Sequence, residues 1–240
     1  MIYIYMSYEL VDFGNQCLPN DLIRKILKNK TKHLFMLGVY SFNDISTFLE
    51  RGSFEDIYKK EYLMYNDNPI THFTNDIERY THASVIKNTH YNFTFNHDFL
   101  YDISTNTIRN YDFIRNEFDK KISNLKELFI NDKTPIFINF LFHQNYELKL
   151  EKMVSVLKQY MKKPFYIFIF TSCKSTGENG TLYENIKFIY LDQDYTEWWK
   201  QTKDIKLSLY KEIYEKYVDT IQTFIIKDTF VPFEELDMLL

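Results

Sequence analysis

Three runs of almost unbroken apolar residues, Ile136 to Phe142, Phe165 to Thr171 and Ile186 to Leu191, punctuate the second half of the chain. Between and after them, Leu148 to Met161 and about Ile205 to Ile226 repeat apolar residues at helical spacing. Continuous apolar strands separated by helices predict a parallel sheet covered on both faces, because in-out alternation disappears when both sides are buried. A longer helix is predicted from Tyr111 to Ile130, with Phe113, Ile114, Phe118, Ile122, Leu125 and Leu128 along its stripe and Asn131-Asp132 ending it. Just before it, Tyr91 to Asn96 alternates aromatic with polar residues, the period of a half-buried strand, and His97-Asp98 follows directly.

The first half is less regular. Tyr8 to Phe13 reads as a strand that stops at Gly14, and Leu22, Ile23, Ile26 and Leu27 then follow helical spacing. Leu34 to Phe42 reads as a second strand, Asn43 to Leu63 as two short helices broken near Gly52 and Ser53, and Tyr65 to Lys87 as a loop-rich excursion. Together these elements predict an α/β fold with a mostly parallel sheet flanked by helices in Rossmann-like layers. It forms a single domain over 1–240, with 43–90 as a helical and loop-rich insertion. A papain-like α+β arrangement is the alternative.

Composition narrows the partners. The 240 residues carry a net charge of −4 with pI near 5.9, so the basic stripe of a nucleic-acid binder is absent. The 22 Phe and 20 Tyr accompany abundant Ile, Asn and Lys, a bias of AT-rich coding that suits a viral genome and makes single aromatics weak pointers to stacking sites. Only Cys17 and Cys173 occur, which argues for a reducing, cytoplasmic setting rather than a disulfide scaffold. No apolar run reaches the roughly 18 residues of a membrane span, and the start lacks the basic region and cleavage site of a signal peptide.

Cys17 carries the strongest chemistry. It stands in Phe13-Gly14-Asn15-Gln16-Cys17-Leu18-Pro19, where strand gives way to helix; Gly14 permits the turn and Pro19 suits a first helical turn. Unpaired amides and the positive end of the dipole at a helix N-terminus favour the thiolate, the reactive form of cysteine. His97, at a strand end, is the candidate general base. The group that holds its ring is Asp98 or Asn96, or one brought from elsewhere, such as Asp44, Asn139 or His143. The Cys17 amide with the side chains of Asn15 and Gln16 would supply oxyanion donors. Trp198 and Trp199, the only tryptophans, could line a substrate groove or pack the last helix on the sheet.

Other motifs carry less. His72, His82, His90 and His97 lack the i, i+4 spacing of a helical zinc pair, so no metal is expected. Gly177-Glu178-Asn179-Gly180 lacks the phosphate-cradling spacings, and no cofactor is expected.

The order of these motifs resembles a family described as papain-like cysteine peptidases, of unknown function, found in bacteria and large DNA viruses. The motifs are Gly14-Asn15-Gln16-Cys17 with its helix, Ser41-Phe42-Asn43-Asp44, Tyr91 to Phe95 with His97-Asp98-Phe99, then a helix and the strand ending at Phe142. The resemblance extends to the Trp198-Trp199 pair. It implies Cys17 as nucleophile, His97 as its histidine and a peptide or protein substrate. The family's Pro-Phe-Asp-Trp stretch reads Phe42-Asn43-Asp44-Ile45 here, which makes Asp44 a candidate substrate contact. A cysteine-dependent hydrolase is therefore the expected function. Two alternatives stand beside it: a non-enzymatic viral or host-interaction binding protein on an inactive hydrolase-like fold, and a Rossmann-like nucleotide-linked transferase using Asp192 and Asp194.

Overall fold

A computed structural model describes residues 8–14, 31–35, 38–65, 86–95, 98–102, 104–141, 150–172, 185–192 and 201–225. In chain order its elements begin with β1 (Tyr8–Asp12), β2 (Gly38–Val39), α1 (Phe42–Arg51), β3 (Leu63–Tyr65), β4 (Ile86–Asn88) and β5 (Phe93–Phe95). They continue with β6 (Tyr101–Asp102), β7 (Thr107–Ile108), α2 (Tyr111–Ile130), β8 (Thr134–Leu141), α3 (Leu150–Tyr160), β9 (Tyr166–Thr171), β10 (Ile186–Tyr190) and α4 (Lys203–Ile225). Short 3-10 turns cover Phe54–Ile57 and Lys60–Tyr62.

Strands β1, β8, β9 and β10 pair in that order, all parallel, with Leu10 opposite Ile136, Ile136 opposite Tyr166 and Ile167 opposite Ile186. Every residue of β8 is buried, which explains an apolar run broken only at Asn139. One face of the sheet sends Val11, Phe137, Ile167 and Ile169 into a core shared with α1, α2 and α3. The other sends Ile136, Ile138, Phe140, Phe168 and Phe170 against Leu209, Ile213 and Tyr217 of α4. This is the layered α/β arrangement, with helices on both faces, and not the α+β alternative. The order is monotone, so among the described strands the sheet has no reversal point of the kind that fixes ligand sites in doubly wound folds.

The excursion between β1 and α2 holds structure that the sequence pattern did not resolve. β2, β5, β4 and β3 form an antiparallel sheet in that order, and β6 with β7 forms a separate hairpin. Among the described residues of the strand expected from Leu34 to Phe42, Gly38–Val39 is strand, and a helix starts at Phe42. Ser41 caps that helix: its hydroxyl accepts the Asp44 amide at 3.1 Å while the Asp44 carboxylate accepts the Ser41 amide at 3.2 Å. Gly52, at φ 69°, closes α1 in the left-handed conformation, at the break the sequence placed there. The second expected helix is the pair of 3-10 turns. Along α2 the buried stripe runs through Ile114, Phe118, Ile122, Leu125 and Leu128, whereas Phe113, expected on it, is 65% exposed. Most of the Tyr65 to Lys87 excursion lies outside the described residues. Among the described residues no helix is long and apolar enough to cross a membrane.

Candidate functional site

Because the four central strands are parallel, their carboxyl ends share one edge, and Gly14, Leu141, Ser172 and Asp192 stand at or just past it. The end of β1 is the most constrained of these. The ladder runs one residue past the strand, with the Phe13 amide donating to the Ile138 carbonyl at 2.9 Å. Asp12, 1% exposed, then accepts the Gly14 amide on Oδ1 at 2.9 Å. From the central strand Asn139, equally buried, donates through Nδ2 to the carbonyls of Phe13 at 2.9 Å and Gly14 at 3.2 Å. Both carbonyls are turned inward by one side chain.

Gly14 has φ +77°, a conformation that side chains with a Cβ rarely adopt, and an added Cβ would fall 2.8 Å from Cδ2 of Tyr40. Gly14→Ala is therefore expected to lower the unfolding free energy by about 2 kcal/mol, through backbone strain plus displacement of a buried ring. Urea denaturation of the variant against the native protein measures it.

The Tyr40 ring that covers Gly14 also packs on the second sheet. Its centroid lies 4.5 Å from that of Phe93 and 6.2 Å from that of Phe95, the last residue of β5. The stem leading to Cys17 and the stem leading to His97 thus meet on one tyrosine. The strand end before His97 is that of β5, which belongs to the antiparallel sheet and not to the parallel one.

Beyond His97 the chain is tied to α2. Asp98 Oδ1 lies 3.6 Å from Nζ of Lys121, and the two side chains are only 11% and 8% exposed. Nζ of Lys121 also sits 4.7 Å from the Phe118 ring centroid. Asn110, preceding α2, donates through Nδ2 to the Asp98 carbonyl and accepts the Leu100 amide on Oδ1, each at 2.8 Å.

Of the other candidates, Asp44 lies at the third position of α1, where its carboxylate holds Ser41 and accepts from Asn92 Nδ2 at 3.4 Å. Asp192 accepts from Lys216 of α4 at 2.9 Å, and its own amide donates to Glu212. Asn15, Gln16, Cys17, Asn96, His97, His143, Asp194, Trp198 and Trp199 lie outside the described residues. Among the described residues no group of His, Cys, Asp and Glu is arranged to hold a metal ion. A separate charged cluster occupies the opposite end of β1. There His33 Nε2, 3.3 Å from Glu9, together with Lys133 at 3.4 Å, holds the Glu9 carboxyl below its ordinary value although burial pushes it up.

The family described as "Putative papain-like cysteine peptidase (DUF1796)" matches residues 8–171. The chain belongs to this family. The papain-like peptidase match starts on β1, ends on β9, and takes in Cys17, His97 and Asn139. It ends before β10, α4 and the Trp198-Trp199 pair. No curated protein and no solved structure matches the chain.

Asn139, Tyr40 and Lys121 are the site's supporting residues that sequence reasoning missed in these roles. Asn139 had a visible signal, since it is the one polar residue inside the Ile136 to Phe142 run.

Proposed function

We propose that the protein is a cysteine-dependent hydrolase acting on a peptide or protein, with Cys17 as nucleophile and His97 as general base. The observation that carries this reading is the meeting of the two stems on Tyr40. By covalent reach alone, Cys17 stands within about 11 Å of Gly14 and His97 within about 7 Å of Phe95, measured between Cα atoms. Membership of a papain-like peptidase family supports the same assignment.

In this reading the imidazole of His97 takes the Cys17 thiol proton, and Sγ attacks the substrate carbonyl carbon. The carbonyl oxygen gains negative charge, which the Cys17 amide and the side chains of Asn15 and Gln16 are placed in sequence to receive. His97 then gives its proton to the leaving amine as the tetrahedral intermediate collapses to a thioester. Water, deprotonated by the same ring, hydrolyses the thioester and restores the thiol. Asp98 anchors the chain beside His97 through Lys121, and Asp44, with its Ser41 bonds, holds the start of α1 at the rim of the site. Trp198 and Trp199 serve as substrate contacts supplied from beyond the family's span. The scarcity of cysteine fits a reducing compartment, in which the Cys17 thiol stays free.

Alkylation with iodoacetamide across pH, with the label located by peptide mapping, tests the assignment. Cys17 should label with a pH midpoint clearly below the roughly 8.5 of an ordinary thiol. Slow labelling of Cys17 at an ordinary midpoint rejects it, whatever Cys173 does.

A further inference from the structure

We infer that Asn139 is the positioning residue of the nucleophile turn, an inference that rests on the assignment of Cys17 as nucleophile. The parallel ladder between β1 and β8 ends with the Phe13 amide on the Ile138 carbonyl. Past that point backbone pairing gives way to side chains. Asn139, the next residue of β8, reaches across with Nδ2 and takes the carbonyls of both Phe13 and Gly14. The peptide group joining these two residues is then bonded at both ends, its carbonyl to Asn139 and its N–H to Asp12 Oδ1. The carbonyl of the next peptide group is held by the same amide. The Phe13 and Gly14 carbonyls, four and three residues before Cys17, are therefore both held from β8.

All eight residues of β8 are buried, and apart from Thr134 at its start the others are apolar. Asn139 instead brings an Oδ1 that has no hydrogen-bond partner among the described residues, in a side chain only 1% exposed. A buried acceptor without a donor is unfavourable, so what the position retains is the pair of donors on Nδ2. Among the described residues no other side chain donates to these two carbonyls. Leucine would suit the strand better and would release the turn.

The experiment compares the full-length native protein with Asn139→Asp and Asn139→Ser by iodoacetamide alkylation of Cys17 across pH, with thermal unfolding measured in parallel. Asn139→Asp keeps the shape but replaces the two donors with a carboxylate facing two carbonyls. It is expected to raise the pH midpoint of Cys17 labelling and to slow labelling at neutral pH by about tenfold, the change in thiolate fraction for one pH unit. Asn139→Ser is too short to reach either carbonyl, so it removes both bonds without adding a charge and should move the profile in the same direction; it keeps the test open if the aspartate variant fails to fold. A thermal midpoint that drops while the Cys17 profile stays that of the native protein would mean a merely structural residue and overturns the inference. An ordinary profile in the native protein removes the nucleophile assignment, and this inference with it. A depressed native profile unmoved in both variants removes the inference alone.

Discussion

Cys17→Ala is expected to reduce peptide hydrolysis by about 10⁴-fold or more, with thermal unfolding close to that of the native protein. The magnitude follows from the chemistry assigned to the thiol: no covalent intermediate can form without it, and what remains is whatever the oxyanion donors and substrate binding contribute over water. Cys17→Ser should be nearly as inactive, because a hydroxyl is a far weaker acid than a thiol and a site arranged for a thiolate does not deprotonate it. His97→Ala removes the proton acceptor and is expected to cost about 10²- to 10⁴-fold. The decisive measurement is the double variant. Residues that act as one unit are not additive, so Cys17→Ala with His97→Ala should be no slower than Cys17→Ala alone. Turnover of a fluorogenic peptide pool reads the rates, and labelling by a peptidyl vinyl sulfone reads the same nucleophile independently of substrate choice. A Cys17→Ala protein that hydrolyses the pool at the native rate ends the assignment of Cys17, whereas a native protein that turns over no peptide of the pool and leaves the vinyl sulfone unreacted puts the binding-protein alternative in its place.

The parts of the molecule that were legible in the sequence are those in which one physical signal dominates over many residues. α2 was expected over Tyr111 to Ile130 and occupies those residues, and the expectations for β8, β9, β10 and α4 fall within a few residues of the observed ends. Burial on both faces makes such strands continuous, and a long amphipathic stripe repeats enough times to be read. The antiparallel sheet was illegible for the opposite reason. Its strands are two or three residues long, and β2 pairs with β5 more than fifty positions later, so neither alternation nor proximity marks them. The strand expected across Leu34 to Phe42 ignored a local signal that was present, the Ser41 to Asp44 spacing of a capping box. At the site, the residue types were readable and their partners were not. Asn139 stood out in an apolar run, yet the carbonyls it binds lie 126 and 125 residues away. Lys121 falls on the buried stripe of α2 between Phe118 and Leu125, and only the fold reveals that Asp98 is opposite it.

Breaking that pair should produce the largest loss of stability available near the site. Lys121→Met leaves the Asp98 carboxylate almost buried without its cation, and Asp98→Asn leaves the Lys121 ammonium in the same position. Removing one partner of a buried ion pair typically costs 3–5 kcal/mol, and a separation of 3.6 Å, too long for a hydrogen bond, places each single variant near the lower figure, at about 3 kcal/mol. The double variant Asp98→Asn with Lys121→Met buries neither charge, so it should recover most of that loss; a double-mutant cycle by urea unfolding measures the coupling. The same four proteins decide how Asp98 serves the chemistry. If it anchors the backbone beside His97, the contacts of the Asp98 and Leu100 main chain with Asn110 persist in the double variant, and turnover should return with stability. If its carboxylate instead holds the imidazole directly, the double variant will fold as well as the native protein and remain slow, because an amide cannot stabilise the imidazolium that forms as Cys17 attacks. Recovery of both quantities together is the expected result, since one oxygen of Asp98 is already turned toward Lys121 of α2.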